Sequence, residues 1–104
     1  MLARVTRAKI NREKIDDAIK KVDSEIIPDI QDDPGLVGFY VYGNRISGDT
    51  MVVTIWDDDK SEEASRTKVA QRFGILGEYL TSPPDTSHTY EVMNSYVPTK
   101  APSV

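Results

Sequence analysis

Apolar positions along the chain switch between a two-residue and a helical repeat in a readable order. Leu2 to Ala8 alternate as a short strand, with Ala3, Val5 and Arg7 on one side and Leu2, Arg4 and Thr6 on the other. Ile15, Ala18, Ile19, Val22 and Ile26 then recur at helical spacing and form one apolar stripe. Asn11 suits the N-cap of that helix, because its side-chain oxygen can accept one of the unpaired amide protons of the first turn. Ile10 and Ile15 stand at the two positions of a hydrophobic staple. Asp16 with Lys20 and Asp17 with Lys21 are spaced to pair along the helix surface. Pro28 predicts a kink or a separate last turn, since it brings no amide proton and crowds the preceding carbonyl. Asp32-Asp33-Pro34-Gly35 ends the helix.

Two strands follow, Leu36 to Asn44 and Asp49 to Trp56, both rich in aromatic and β-branched residues. Arg45-Ile46-Ser47-Gly48 joins them as a hairpin, with Gly48 free to take a positive φ. The acidic run Asp57-Asp58-Asp59, with Ser61, falls where a second helix should begin and favours the positive end of its dipole. Val69, Phe73, Leu76 and Leu80 make the second helical stripe, and Gly74 and Gly77 predict a break near its end. Ser82-Pro83-Pro84-Asp85 reads as a loop, and His88 to Val97 as a last strand.

The order β-α-β-β-α-β predicts an α+β fold, the ferredoxin-like arrangement with a four-stranded antiparallel sheet. One domain over residues 1–97 is expected, with a polar, proline-bearing tail over 98–104. Two helices cover only one face of such a sheet. Phe39 and Val41 oppose Tyr40 and Tyr42, while Met51, Val53 and Ile55 oppose Val52, Thr54 and Trp56, so both faces are apolar or aromatic. A half-exposed sheet should instead be polar on its open side. The pattern predicts a homodimer, with a second copy placed sheet to sheet; half-exposed tyrosines in a monomer are the alternative.

Composition narrows the chemistry. A chain of 104 residues with no cysteine has no disulfide, thiolate nucleophile or zinc–thiolate site, and its single histidine, His88, disfavours an imidazole-rich metal centre. The formal charge of −4, with Lys and Arg scattered, argues against nucleic acid as a partner. No apolar run is long enough to span a bilayer and the first residues lack a signal-peptide core, so a cytoplasmic location and no membrane partner are expected. A calcium loop beginning at Asp57 would need glycine at its sixth position and glutamate at its last, where Glu62 and Lys68 stand. No glycine-rich phosphate loop is present either.

Pro28, the run Pro34-Gly35-Leu36-Val37-Gly38-Phe39-Tyr40, the hairpin with Gly48, the strand end Thr54-Ile55-Trp56, the acidic start of helix two and the final Tyr90-Glu91-Val92 together carry a likeness. Over residues 1–97 the chain resembles the antibiotic biosynthesis monooxygenase-like family of dimeric α+β barrels. The resemblance implies a cofactor-independent oxygenase acting on a small phenol- or quinone-like molecule, with no cofactor and no metal; a non-catalytic homodimer of the same fold, either small-molecule-binding or stress-related, is the alternative. The haem-degrading branch pairs an Asn on strand one with a Trp and a His on helix two, and this chain has none of the three there.

In oxygenases of that family a Trp near the position of Trp56 lines the cavity between sheet and helices; a core aromatic is the competing reading. His88 is the candidate general base, beside a loop where an idle, exposed imidazole would also sit. Tyr40, Tyr42, Tyr90 and Tyr96 could orient an aromatic ligand or pack at the dimer interface. Arg7, Arg72 and Asn44 could hold an anionic or quinone-like oxygen, with a solvated helix position for Arg72 and a turn position for Asn44 as the alternatives.

Overall fold

The computed structural model describes residues 1–98. Strands β1 (Leu2–Lys9), β2 (Leu36–Gly43), β3 (Asp49–Trp56) and β4 (His88–Glu91) form one antiparallel sheet in the order β2-β3-β1-β4. This is the predicted ferredoxin-like α+β fold. Of the predicted tail, residues 99–104 lie outside the described residues.

Between β1 and β2 the chain runs through a 3-10 turn (Arg12–Lys14), helix α1 (Ile15–Lys21), a π-helical stretch (Val22–Ile26) and helix α2 (Ile27–Ile30). Asn11 caps it as expected, accepting from Glu13 N at 3.0 Å. Pro28 sits in the first turn of α2, where its missing amide leaves no gap, and the wider π turn just before it accommodates the ring. On the helix surface Lys21 pairs with Glu25, while Asp16 meets Arg45 of the hairpin at 3.0 Å. Thus neither expected Asp–Lys pair forms.

Asp58 caps helix α3 (Asp59–Ser65), accepting from Ser61 N at 2.8 Å. A 3-10 turn (Arg66–Lys68) leads into α4 (Val69–Ile75), which stops at the predicted break before Gly77. Gly48 takes a φ of +80° and Gly35 a φ of +76°. A side chain at Gly48 would run into the Ile10 carbonyl oxygen, and one at Gly35 into Ser61.

The last strand is shorter than expected. Antiparallel to β1, it meets Leu2 at Glu91, and Val92 N donates to Met1 O at 3.0 Å. After Val92 the chain makes no further ladder bonds to β1, and Met93, Tyr96 and Val97 are exposed. No described helix is long and apolar enough to cross a membrane.

Candidate functional site

Cross-strand register sorts the side chains into two faces. Arg4, Thr6, Val52, Thr54, Phe39 and Val41 lie on the face turned to the helices, and Val5, Arg7, Met51, Val53, Tyr40 and Tyr42 on the other. The layer between sheet and helices is not closed up. Buried apolar side chains there are few (Ala18, Ile26, Ile30, Trp56 and Leu76). Both predicted helical stripes, Ile15 to Ile26 and Val69 to Leu80, instead line a cavity of about 440 Å³. That volume is within the usual range for small-molecule sites, roughly 300–1,000 Å³.

The cavity has two unlike ends. Ile19, Asp23 and Ile27 on the first helical segment and Val41, Asn44 and Arg45 on β2 and its hairpin line it while remaining exposed, which places the mouth between edge strand β2 and that segment. Arg4, Thr6 and Thr54 line it while buried, on the two central strands, and Arg4 and Thr54 are direct cross-strand partners. Thr54 Oγ1 accepts from Trp56 Nε1 at 2.8 Å, so its own proton is free for another acceptor. Thr6 Oγ1 shares a hydrogen bond with Ser87 Oγ at 2.6 Å.

Behind Arg4 lies a buried polar cluster. Arg4 Nη1 donates to Ser65 Oγ at 2.6 Å and to Glu62 O at 3.3 Å, and its guanidinium stands 5.3 Å from the centre of the Trp56 ring. Glu62, fully buried, receives Arg66 Nε at 3.0 Å and Thr89 Oγ1 at 3.0 Å on Oε1. Arg66 Nη2 forms an ion pair with Oε2 at 2.6 Å. Burial pushes the Glu62 carboxyl up, but the bonds from Arg66 and Thr89 outweigh it and hold the group below its ordinary value.

A second cluster fastens α4 to the end of the first helical segment. Arg72 Nη1 and Nη2 fork onto Asp33 at 2.7 and 2.9 Å, Arg72 Nε donates to Asp29 at 2.8 Å, and Lys68 reaches Asp33 at 3.2 Å. The Arg72 fork holds Asp33 below the usual carboxylate range, and Asp33 in turn raises Arg72.

The structure divides the residues singled out from sequence. Arg72 and Asn44 line the cavity. Arg72, however, is saturated by Asp29 and Asp33, and Asn44 Oδ1 is occupied by Ile46 N at 2.9 Å and Ser47 N at 3.1 Å in the hairpin. Trp56 is fully buried behind the cavity wall rather than in it. Arg7, Tyr40, Tyr42 and His88 stand on the face away from the helices, His88 opposite Val5 and exposed, with Tyr90 beside them opposite Ala3. Tyr40 and Tyr42 stack at 6.0 Å between ring centres. Tyr96 lies beyond β4. Sequence reasoning passed over Arg4, Thr54 and Glu62. The available signal was a charged and a hydroxyl residue, Arg4 and Thr6, at alternate positions of a central strand.

An α+β sandwich with a cavity under one sheet face is the class of protein defined here. The fold is that of the antibiotic biosynthesis monooxygenases. A monooxygenase of Streptomyces coelicolor solved with the ligand nanaomycin D superposes with a TM-score of 0.72 at 10% identity, over 94% of this chain and 92% of that one. A protein of unknown function from Nitrosomonas europaea gives 0.72 at 16% identity over 95% of each chain. A conserved protein of Methanosarcina mazei gives 0.68 at 17% identity, over 86% of this chain and 89% of that one. No family model matches the sequence, and no curated protein matches it. At these identities the likeness establishes the fold.

Proposed function

We propose that this protein binds a small, flat aromatic molecule in the cavity between sheet and helices and oxidises it with molecular oxygen, without a cofactor. The observation that carries this reading is the cavity itself. A chain of 104 residues has little core to spare, and leaving about 440 Å³ open among isoleucines, valines and phenylalanines forfeits contacts that a closed core would make. An apolar ligand restores them. The solved neighbour holding nanaomycin D has the same fold and supports an aromatic guest.

In the proposed reaction an ionised phenol or anthrone passes one electron to O2. The substrate radical and superoxide recombine at carbon, and the peroxide loses water to leave a quinone. One oxygen atom enters the product and the other leaves in water, so an anthrone and O2 give an anthraquinone and H2O. The protein needs only to exclude water, orient the ring and receive a proton.

The placement of His88 on the far face, outside the cavity, favours a second reading in which the protein binds such a molecule without turning it over. Oxygen uptake separates them. Purified protein with a panel of hydroquinones and anthrones should consume O2 in step with quinone formation. Saturable binding with no uptake above the uncatalysed rate would leave the binding reading alone.

The open sheet face belongs to the same proposal. Tyr40, Tyr42 and Tyr90 are 51%, 52% and 57% exposed there, around Val5, Met51, Val53 and Ile55. A symmetric pairing of two copies through this face covers an aromatic surface that water solvates poorly. Native mass spectrometry should give twice the chain mass; a clean monomer at micromolar concentration would remove the pairing. A cytoplasmic location completes the proposal.

A further inference from the structure

The two buried clusters under the sheet differ in charge. Arg72 and Lys68 face Asp29 and Asp33, two cations against two carboxylates, and Arg72 is bonded through all three of its nitrogens. The other cluster sets Arg4 and Arg66 against one carboxylate, Glu62. Arg66 holds that carboxylate closely, with Nε at 3.0 Å and Nη2 at 2.6 Å, while Arg4 Nη1 stands 3.5 Å from Oε1. Arg4 is only 6% exposed, yet its shortest hydrogen bond, 2.6 Å, goes to the neutral Ser65 hydroxyl. Burial accordingly pulls Arg4 below its ordinary value in spite of Glu62, whereas Asp33 raises Arg72.

All hydrogen bonds of Arg4 among the described residues run through Nη1. Nε and Nη2 have no partner there and are not sealed from solvent. Those two nitrogens form one edge of the guanidinium, a fork whose N–H groups are spaced to meet both oxygens of a carboxylate. Thr54, directly across the strand pair, holds its hydroxyl proton free beside it. An under-neutralised buried cation is costly, and a bound anion removes that cost.

We propose that the free edge of Arg4, with the Thr54 hydroxyl, is the anchor of the cavity and selects an aromatic molecule that carries a carboxylate. The ring lies in the apolar part between the two helical stripes and the carboxylate points to the central strands. Arg72, one of the two arginines singled out from the sequence, is a structural clamp. This assignment rests on the cavity being the ligand site and names the class of molecule it takes.

Two probes of equal shape test it. 2-Naphthoate and 2-acetylnaphthalene share the ring and a planar substituent, and only the first is charged at pH 7. Binding is measured by calorimetry and by the emission of Trp56, the sole tryptophan, whose ring lies against Arg4. The wild-type protein is expected to bind 2-naphthoate at least roughly tenfold tighter, the usual scale of a hydrogen-bonded charge contact. Arg4→Met leaves the buried Glu62 to Arg66 and Thr89 but takes away one of its two cations, so the variant of choice is Arg4→Met with Glu62→Gln. It should lose the preference while binding 2-acetylnaphthalene within about twofold of wild type, and Arg4→Lys should restore part of the preference. Equal affinities for the two probes in the wild-type protein would overturn the anchor and leave the cavity reading standing. A preference that survives in the double variant would overturn it as well. Failure of both probes to bind would overturn the cavity reading and the anchor together.

Discussion

Replacing Arg72 by Met tests whether the clamp between α4 and the first helical segment is as dry in solution as its geometry requires. The side chains of Arg72 and Asp33 are 8% and 5% exposed, and removing one partner of a buried pair typically costs about 3–5 kcal/mol because the other charge is left unmatched. Here Lys68 stays 3.2 Å from Asp33 and relieves part of the loss, which puts the expected cost near the lower end, about 3 kcal/mol at pH 7. For a domain of this size that corresponds to a fall in Tm of roughly 12 °C or more. The pH dependence has a definite sign. Asp33 is depressed in the folded protein, chiefly by the Arg72 fork, so its contribution is complete above the unfolded carboxylate value, about pH 4. It is lost as pH falls through the lower folded value. The gap between wild type and variant in urea unfolding should therefore be full at pH 7 and narrow below about pH 4. Adding Asp33→Asn to Arg72→Met removes the stranded charge, so the double variant should be more stable than the sum of the single effects implies. A cost under about 1 kcal/mol at pH 7 would refute the reasoning, as would a gap that does not shrink on acidification, because either would mean the pair is solvated.

Gly48→Ala forces a side chain into the Ile10 carbonyl at a φ of +80°, and should cost about 1–3 kcal/mol in chemical denaturation. Gly74→Ala does the reverse: a methyl there meets nothing within 4 Å inside α4, so stability should rise by about 0.5–1 kcal/mol. Trp56→Phe leaves the fold intact in far-UV circular dichroism but takes the indole N–H from Thr54 Oγ1 and puts a smaller phenyl ring under Arg4, with an expected cost of about 1–3 kcal/mol in urea unfolding. Tyr40→Glu places a charge on the open sheet face next to Tyr42, and should convert the proposed dimer to monomer in native mass spectrometry while Tm moves only by the loss of pairing.

How much of this was legible beforehand follows from the range over which each feature is encoded. Asn11, Pro28, Gly35, Gly48 and Gly77 act on their immediate neighbours, and the chain starts, bends and stops near them as the sequence implied. β4 ends before the predicted Val97 because its extent is set by pairing with β1, which stops at Val92, and not by the strand-like residues that follow. The site was harder to read for the same reason. Asp33 looked like a helix terminator and Arg72 like a solvated helix residue; only the fold brings them together across 39 positions. Hydrophobic alternation also misleads about which face of β1 is covered. Ala3 and Val5 are the more apolar pair, yet Arg4 and Thr6 turn toward the helices and are buried. On β2 and β3 the residues left facing outward are tyrosines, Met51, Val53 and Ile55. A face that buries Arg4, Thr6 and Thr54 while its reverse exposes aromatics is inverted relative to an ordinary half-covered sheet. That inversion makes physical sense when the inner face is a site with polar work to do and the outer face is covered by something apolar. Arg4 and Tyr40 are thus two consequences of one proposed arrangement, a sheet that holds a ligand on its inner face and a second copy on its outer one.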